Sequence, residues 1–281
     1  MSDTWLLLDA NNLLRRAWYA LKRMDNDRAD SMLFGFFRDV QTLRRHFGTD
    51  LVACAFDSDS SKRKELLADY KIGRQEKYNA LTPAEQAEED QRRSKTKFLR
   101  KRLLPQLGIP AWFSEGYEAD DLIAAAVKHV GNEGLDFVVV STDQDLYQLL
   151  SERVQIWSPG MGTLKPGRLI TAKVFADEYG LEPRQWAKVK AIAGCVSDDV
   201  PGIRGVGEVK AIQYLKREMP RHHKAYQEIK NNREFLNENL KLVKLPLQGC
   251  PAFSLTWYQF DTSLWNTTMK GLEFSSLVEG F

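Results

Sequence analysis

The sequence predicts an α/β protein whose mostly parallel central sheet is flanked by helices on both faces. Three observations carry that prediction. Short apolar runs rich in β-formers recur through the first 180 residues, with longer helical patterns between them. The runs are continuously apolar rather than alternating, the composition of strands covered on both faces. Three of them finish on an aspartate, as strands do when their carboxyl ends supply a shared crevice.

Taken in order, the strands are WLLLD (5–9), LVACAFD (51–57), IPAWF (109–113), DFVVVSTD (136–143) and VQIW (154–157). Residues 58–108 form a long insertion between the second and third strands, and a connection of that length is usually functional or disordered. It mixes basic side chains with Tyr70 and Tyr78. Thr82-Pro83 followed by Glu85 predicts a helix start with a capping box, and beyond it Phe98, Leu99 and Leu103 can face the core. From about 183 the chain reads as helical, and the next strand-like stretch is 253–260.

Composition narrows the class. With 43% hydrophobic and 28% charged residues the chain reads as an ordinary globular protein. Its formal net charge is only +2, yet residues 62–102 hold thirteen Lys or Arg against seven Asp or Glu, so basic charge is concentrated there and the remainder is net acidic. Cys54, Cys195 and Cys250 are an odd number without a C-x-x-C pair, which argues against a disulfide framework or a zinc knuckle. A reducing, cytoplasmic setting is expected. The apolar run after Trp5 stops at Asp9, and no run approaches a membrane span, so neither a signal peptide nor membrane association is expected. The four histidines sit in no G-x-S-x-G or H-E-x-x-H context and read as structural or surface residues.

The acids are the informative feature. In GYEADDLIAAAV (116–127), Glu118, Asp120 and Asp121 precede an apolar helical run. Helix capping needs one or two acids. On a regular helix Glu118 and Asp121 share a face while Asp120 points elsewhere, so all three converge only if the chain is still entering the helix. In STDQDLYQLL, Thr142 can cap a helix with Asp145 at its third position. Together with Asp9, Asp57 and Asp143 this makes seven carboxylates directed to one rim. Two carboxylates about 4 Å apart repel by roughly 4 kcal/mol at an effective dielectric of 20, so such a group needs cations or raised pKa values. Oxygen donors without nearby His or paired Cys select Mg²⁺ or Mn²⁺, and two such ions suit phosphodiester hydrolysis.

VPGIRGVGEVKAIQYLKR (200–217) places Gly202, Gly205 and Gly207 in a turn before a helix that carries Lys210. Glycines let backbone N–H groups approach a phosphate, and the helix offers its positive end. Recognition of this kind ignores base sequence and is salt-sensitive.

Strand-end acids, E-A-D-D, T-D-x-D, the basic insertion and the glycine hairpin, in this order, resemble the flap endonuclease family, and most closely the bacterial and phage 5′ nucleases and the N-terminal nuclease domain of DNA polymerase I. The resemblance spans nearly the whole chain. It implies a PIN-like nuclease core over 1–181 that includes a helical arch at about 58–104. It also implies a mostly helical region over 182–281 with a helix-three-turn-helix DNA-binding motif at about 188–218. The activity implied is metal-dependent cutting near 5′ ends of flapped, nicked or overhanging DNA and possible RNA primer–DNA hybrids, in replication or repair, by a monomer working beside a separate DNA polymerase.

By the same likeness Asp9, Asp57, Glu118, Asp120, Asp121, Asp143, Asp145 and Asp198 would hold two Mg²⁺ or Mn²⁺ ions, with Asp9 and Asp57 central to catalysis. Lys71 and Arg74 would reach the scissile phosphate, and Tyr70 and the hairpin would contact DNA. The carbonyls of Val200, Ile203 and Val206 would bind K⁺. One departure matters: in AGCVSDDVPGI, Cys195 stands where the family has an aspartate, and Asp199 replaces an asparagine. A thiol is a poor partner for Mg²⁺. The alternative is therefore a branched-DNA binding protein with weakened catalysis; a ribonuclease acting on structured RNA is disfavoured by the duplex-gripping hairpin.

Overall fold

In the computed structural model, which describes residues 4–20, 28–130, 134–160, 166–255 and 258–279, the five apolar runs form parallel strands. They are β1 (Thr4–Asp9), β2 (Val52–Ala55), β3 (Ala111–Trp112), β4 (Asp136–Val140) and β5 (Val154–Ser158). A short β6 (Arg168–Ile170), which the sequence reading missed, adds antiparallel to β5. The sheet order is β3-β2-β1-β4-β5-β6, so the chain winds outward from β1 to β3 and returns to the other side of β1 at β4. Such a reversal opens a crevice at the carboxyl ends of β1 and β4.

The continuous apolar character of the strands follows from double coverage. Trp5 and Leu7 of β1 face one core with Leu122 and Ile123, whereas Leu6 and Leu8 face the other with Phe36, Phe37 and Trp265. The helices are α1 (Ala10–Ala20), α2 (Arg28–Phe47), α3 (Arg63–Leu66), α4 (Ile72–Asn79), α5 (Pro83–Phe98), α6 (Leu104–Gln106), α7 (Ala119–Val130), α8 (Ala172–Tyr179), α9 (Trp186–Ala193), α10 (Glu208–Leu215), α11 (Lys224–Asn231), α12 (Arg233–Val243) and α13 (Thr262–Gly271). Among the described residues no helix is long and apolar enough to cross a membrane.

The insertion is helical, comprising α3 to α6 with a wide π turn at Leu99–Leu103. Thr82 caps α5 as the spacing predicts: its hydroxyl accepts from the Glu85 N–H at 3.4 Å, and the Glu85 carboxylate accepts from the Thr82 N–H at 2.9 Å. Leu99 and Leu103, four residues apart on one face, are buried, but Phe98 lies off that face and is exposed. The strand expected at 253–260 does not form at 253–255 or 258–260, and 256–257 lie outside the described residues. Side chains anchor that stretch instead. The Tyr258 hydroxyl donates to the Asp50 carbonyl at 2.9 Å and accepts from the Val52 N–H at 3.0 Å, while Phe260 lies against the Arg44 guanidinium.

Candidate active site

Asp9 ends β1 and sits at the switch point. Its carboxylate accepts from the Asn12 N–H (3.0 Å) and the Ser141 hydroxyl (2.8 Å), tying the ends of β1 and β4 together. Asp57, just past β2, accepts from the Ala119 N–H at 2.9 Å, and its own N–H donates to Asn11 at 3.2 Å. Burial, reinforced by the neighbouring Asp57 charge and by Asp143, pushes Asp9 up to about 7. Burial and then Glu118 raise Asp57 as well. Each acid thus feels the next.

The helix α7 begins at Ala119, so the chain is indeed still entering the helix at the three acids, and the structure separates their surroundings. Glu118 receives the Lys71 ammonium and the Tyr70 hydroxyl, the latter at 3.2 Å. Burial works to raise its pKa, but the Lys71 and Arg63 charges outweigh it and the net direction is down. Asp120 is raised well above the carboxylate range, first by burial and then by Asp121.

Asp121, fully buried, is different in kind. Arg63 donates to both its oxygens, at 2.6 and 2.8 Å, and the N–H groups of Leu247 (2.7 Å) and Glu118 (3.2 Å) add two more bonds. Its acceptor positions are therefore taken by the protein, unlike those of Asp120.

A second group lies across the cleft. Asp143, rather than Thr142, caps the short 3₁₀ turn Gln144–Leu149, accepting from the Asp145 N–H at 2.8 Å. The turn begins one residue later than the sequence suggests, because a 3₁₀ start lets Asp143 reach the N–H two residues on. Burial and the Asp143 charge push Asp145 up to about 6, against the Lys190 ammonium 3.5 Å away. One oxygen each from Asp145 and Asp198 and the Cys195 sulfur all lie within 4.8 Å of one another. Asp198 also receives Arg74 at 2.8 Å and lies 3.5 Å from the Lys71 ammonium. Arg63, Tyr70, Asp120, Asp145 and Asp198 line one cleft.

Lys71 therefore stands between the two groups. Burial would lower its pKa, but Glu118 and Asp198 more than compensate and raise it. Its backbone is left-handed, φ 56°, at the cap of α4, a conformation that non-glycine residues rarely adopt outside constrained sites. The Lys71 N–H donates to the Asp198 carbonyl (3.0 Å), and the Gly73 N–H to the Asp199 carboxylate (2.9 Å). These bonds clamp the base of the insertion to the turn that bears Cys195.

Oxygen donors are what a hard divalent cation takes. Asp9, Asp57, Glu118, Asp120 and Asp143 neighbour one another pairwise through their charges, whereas among the described residues the three ligand atoms within 4.8 Å of one another are those of Asp145, Asp198 and Cys195. The Asp145, Asp198 and Cys195 set does not fit Mg²⁺ equally, because one of its three donors is sulfur. Metal uptake has a definite pH sign. A carboxyl whose pKa is raised on folding stabilises the metal-free protein below about pH 4 and loses that contribution as pH rises through about 6 to 7 for Asp145 and Asp9. Cations compete with those protons, so the rise in melting temperature on adding Mg²⁺ is expected to be larger at pH 8 than at pH 5.5. Calorimetry in EDTA and in Mg²⁺ checks this; a shift independent of pH contradicts it.

In the hairpin the glycines divide. Gly205 and Gly207 are exposed, and an added Cβ would meet no atom within 4 Å. Gly202 instead packs inward, where a Cβ would lie 2.1 Å from the Ala193 carbonyl oxygen, so its glycine serves close packing of backbone rather than approach to a ligand. Gly202→Ala is expected to cost about 1–3 kcal/mol or more from overpacking, whereas Gly207→Ala costs little; chemical denaturation of both variants tests the contrast. The carbonyls of Val200 and Ile203 accept N–H groups from Cys195 and Val206, each at 2.9 Å, and Lys210 donates to the Gly205 carbonyl at 2.7 Å.

Arg63, Asn11, Asn12, Ser141 and Lys190 escaped the sequence reading. Asn11, Asn12 and Ser141 adjoin strand ends and carried a positional signal; Arg63 carried none, because its partner is 58 residues away.

Residues 4–180 match the family described as 5′-3′ exonuclease, N-terminal resolvase-like domain. The chain is 35% identical over 239 residues to the thermostable DNA polymerase I of Thermus thermophilus, covering 84% of this chain and 26% of that protein. It is 36% identical to that of Thermus aquaticus over 75% of this chain and 23% of the relative. It thus spans about a quarter of the length of these curated relatives. Its structure is similar to the bacteriophage T5 5′-exonuclease with bound zinc (TM-score 0.72, 25% identity, 86% of this chain and 90% of that one). A T5 flap endonuclease complex with DNA and metal ions matches alike (TM-score 0.72, 25% identity, 86% and 89%). The catalytic core of Rad2 with DNA shares the fold (TM-score 0.57, 17% identity, 98% and 91%). Since the matched domain takes in more than half of the 281 residues, this chain belongs to the family of 5′-3′ exonuclease N-terminal, resolvase-like domains.

Proposed function

We propose that the site is that of a structure-specific 5′ nuclease, hydrolysing phosphodiester bonds near the 5′ ends of flapped, nicked or overhanging DNA with the help of divalent metal ions, Mg²⁺ or Mn²⁺. The observation that carries the reading is the position of Lys71, held between Glu118 on one side of the cleft and Asp198 on the other, with Arg74 beside it. Cations of the basic insertion therefore meet acids from two separate chain segments beside the sheet's switch point, where a phosphate would be drawn in. The T5 enzyme it resembles is described with DNA and divalent ions bound.

Asp9, Asp57, Glu118, Asp120 and Asp143 would hold one ion, and Asp145 and Asp198 would contribute to a second position. Bound ions would supply an activated water and neutralise charge on the leaving oxygen. Lys71 and Arg74 orient the scissile phosphate, and Tyr70 buttresses Glu118 through its hydroxyl. Asp121, saturated by Arg63, positions α7 rather than a metal. Gly205, Gly207 and Lys210, in the region 182–281, grip duplex backbone, while the core 1–181 cuts. Free thiols at Cys54, Cys195 and Cys250 suit a reducing cytoplasm. Partnership with a DNA polymerase, action on RNA primer–DNA hybrids, work as a monomer and K⁺ at the hairpin belong to the same reading.

Incubating purified protein with a labelled 5′-flap duplex and Mg²⁺ or Mn²⁺ is expected to release the flap, and an absence of metal-dependent cleavage would refute the proposal. Binding to the same duplex should weaken steeply as salt rises, because phosphate contacts release counterions; an affinity flat in salt would contradict the hairpin's role. Cys195 favours one competing reading, a branched-DNA binder with weakened catalysis. A large gain of Mg²⁺-supported cleavage in Cys195→Asp would favour it.

A further inference from the structure

Asp145, Asp198 and Cys195 bring two carboxylates and one sulfur to a single point of the cleft. Cys195 is 9% exposed, and its sulfur lies 3.4 Å from Asp198 Oδ2 and 3.1 Å from the Ser197 hydroxyl, with an Asp145 oxygen completing the cluster. The backbone fixes the thiol there. Cys195 and Val200 exchange N–H···O bonds of 2.9 and 3.0 Å across an antiparallel bridge, and Gly194 allows the chain to turn into it at φ 79°.

A tetrahedral ion with metal–sulfur and metal–oxygen bonds near 2.3 and 2.1 Å separates its sulfur and oxygen ligands by about 3.6 Å. The Cys195–Asp198 spacing is already close to this. An octahedral Mg²⁺ shell prefers oxygen throughout and gains little from sulfur.

We propose that Cys195, Asp145 and Asp198 form a site for a thiophilic or borderline divalent cation of the Zn²⁺, Co²⁺ or Cd²⁺ class, in preference to Mg²⁺. The proposal deepens the nuclease reading and rests on it only for the site's use in cleavage. On binding, the S–H bond breaks, a metal–sulfur bond forms with the sulfur electron pair, and one proton leaves to solvent. A divalent ion with the Cys195 thiolate and the two carboxylates carries a net charge of −1, which Lys190, 3.5 Å from Asp145, and Lys71, 3.5 Å from Asp198, offset without a further carboxylate.

The test is optical and needs no DNA. Metal-free protein titrated with CoCl₂, and separately with CdCl₂, is expected to develop a thiolate-to-metal charge-transfer band, in the near ultraviolet for cobalt and at shorter wavelength for cadmium, that saturates at one equivalent. The band should vanish in Cys195→Ser and Cys195→Asp and persist in Cys250→Ser, which removes the more exposed thiol. Thermal melts establish that each variant is folded. Cys195→Asp should also gain a second Mg²⁺ equivalent by calorimetric titration. No band in the unsubstituted protein, or a band that survives in both Cys195 variants, overturns the proposal. The flap assay reports separately: a protein that shows the band but does not cut DNA defeats the nuclease reading and supports the site, while one that cuts without the band does the reverse.

Discussion

Replacing Arg63 by methionine is expected to lower the free energy of unfolding by about 3–5 kcal/mol, the usual cost of removing one partner from a buried ion pair. The guanidinium is 2% exposed and joins three segments distant in sequence. It pairs in bidentate fashion with Asp121 of α7, donates to the Leu242 carbonyl near the end of α12 at 2.8 Å, and lies 3.9 Å from Glu118. Methionine fills similar space but leaves Asp121 with two N–H donors and no cation. For a chain of this size the loss corresponds to a fall in melting temperature on the order of 10 °C. The double variant Arg63→Met, Asp121→Asn removes the stranded charge and should recover a clear part of the loss. Thermal and denaturant unfolding of the single and double variants decide the matter. A single-variant loss below about 1 kcal/mol, a surface-pair value, would show that Arg63 is not the staple described.

Arg63 also marks the boundary of what the sequence discloses. The sheet was legible because burial on two faces imposes a local pattern, visible in every strand from β1 to β5, and strand-end acids announce a crevice without knowledge of what fills it. β6 escaped because three residues are too few to show a pattern. That Glu118, Asp120 and Asp121 stand where the chain enters a helix was legible, and α7 starts at Ala119. The expected convergence of all three was not met, because Asp121 turns into the interior against Arg63. What each acid does there was not legible. Asp120 and Asp121 are adjacent and identical in type, yet Asp121 takes both of the Arg63 hydrogen bonds while Asp120 feels the same guanidinium only as a neighbouring charge. That difference is set by a residue inside a charged stretch that reads, locally, as a DNA-facing surface. The same limit applies to the hairpin, where the three glycines look equivalent in sequence and Gly202 alone is held against Ala193 and Gly194.

Loss of the Lys71 side chain is expected to reduce flap cleavage by about 10²–10³-fold at saturating Mg²⁺, the effect of deleting one preorganised charge-stabilising donor. The ammonium is held by Glu118 and Asp198 before any substrate arrives, so little reorganisation is needed when negative charge develops on the phosphate. The backbone at Lys71 allows the side chain to be separated from the turn that carries it. Because φ is 56°, alanine retains the left-handed strain and glycine relieves about 1 kcal/mol of it. Lys71→Ala and Lys71→Gly should therefore share the same loss of kcat while the glycine variant is the more stable of the two. If Lys71 served only to hold the flap strand, both variants would raise KM and leave kcat near the parent value. If it served only to shape the turn, glycine would restore cleavage. Single-turnover rates with Mg²⁺ and the melting temperatures of both variants separate these cases, and the expected pattern, kcat lost in both with stability differing between them, is produced only by an ammonium acting on the reacting phosphate.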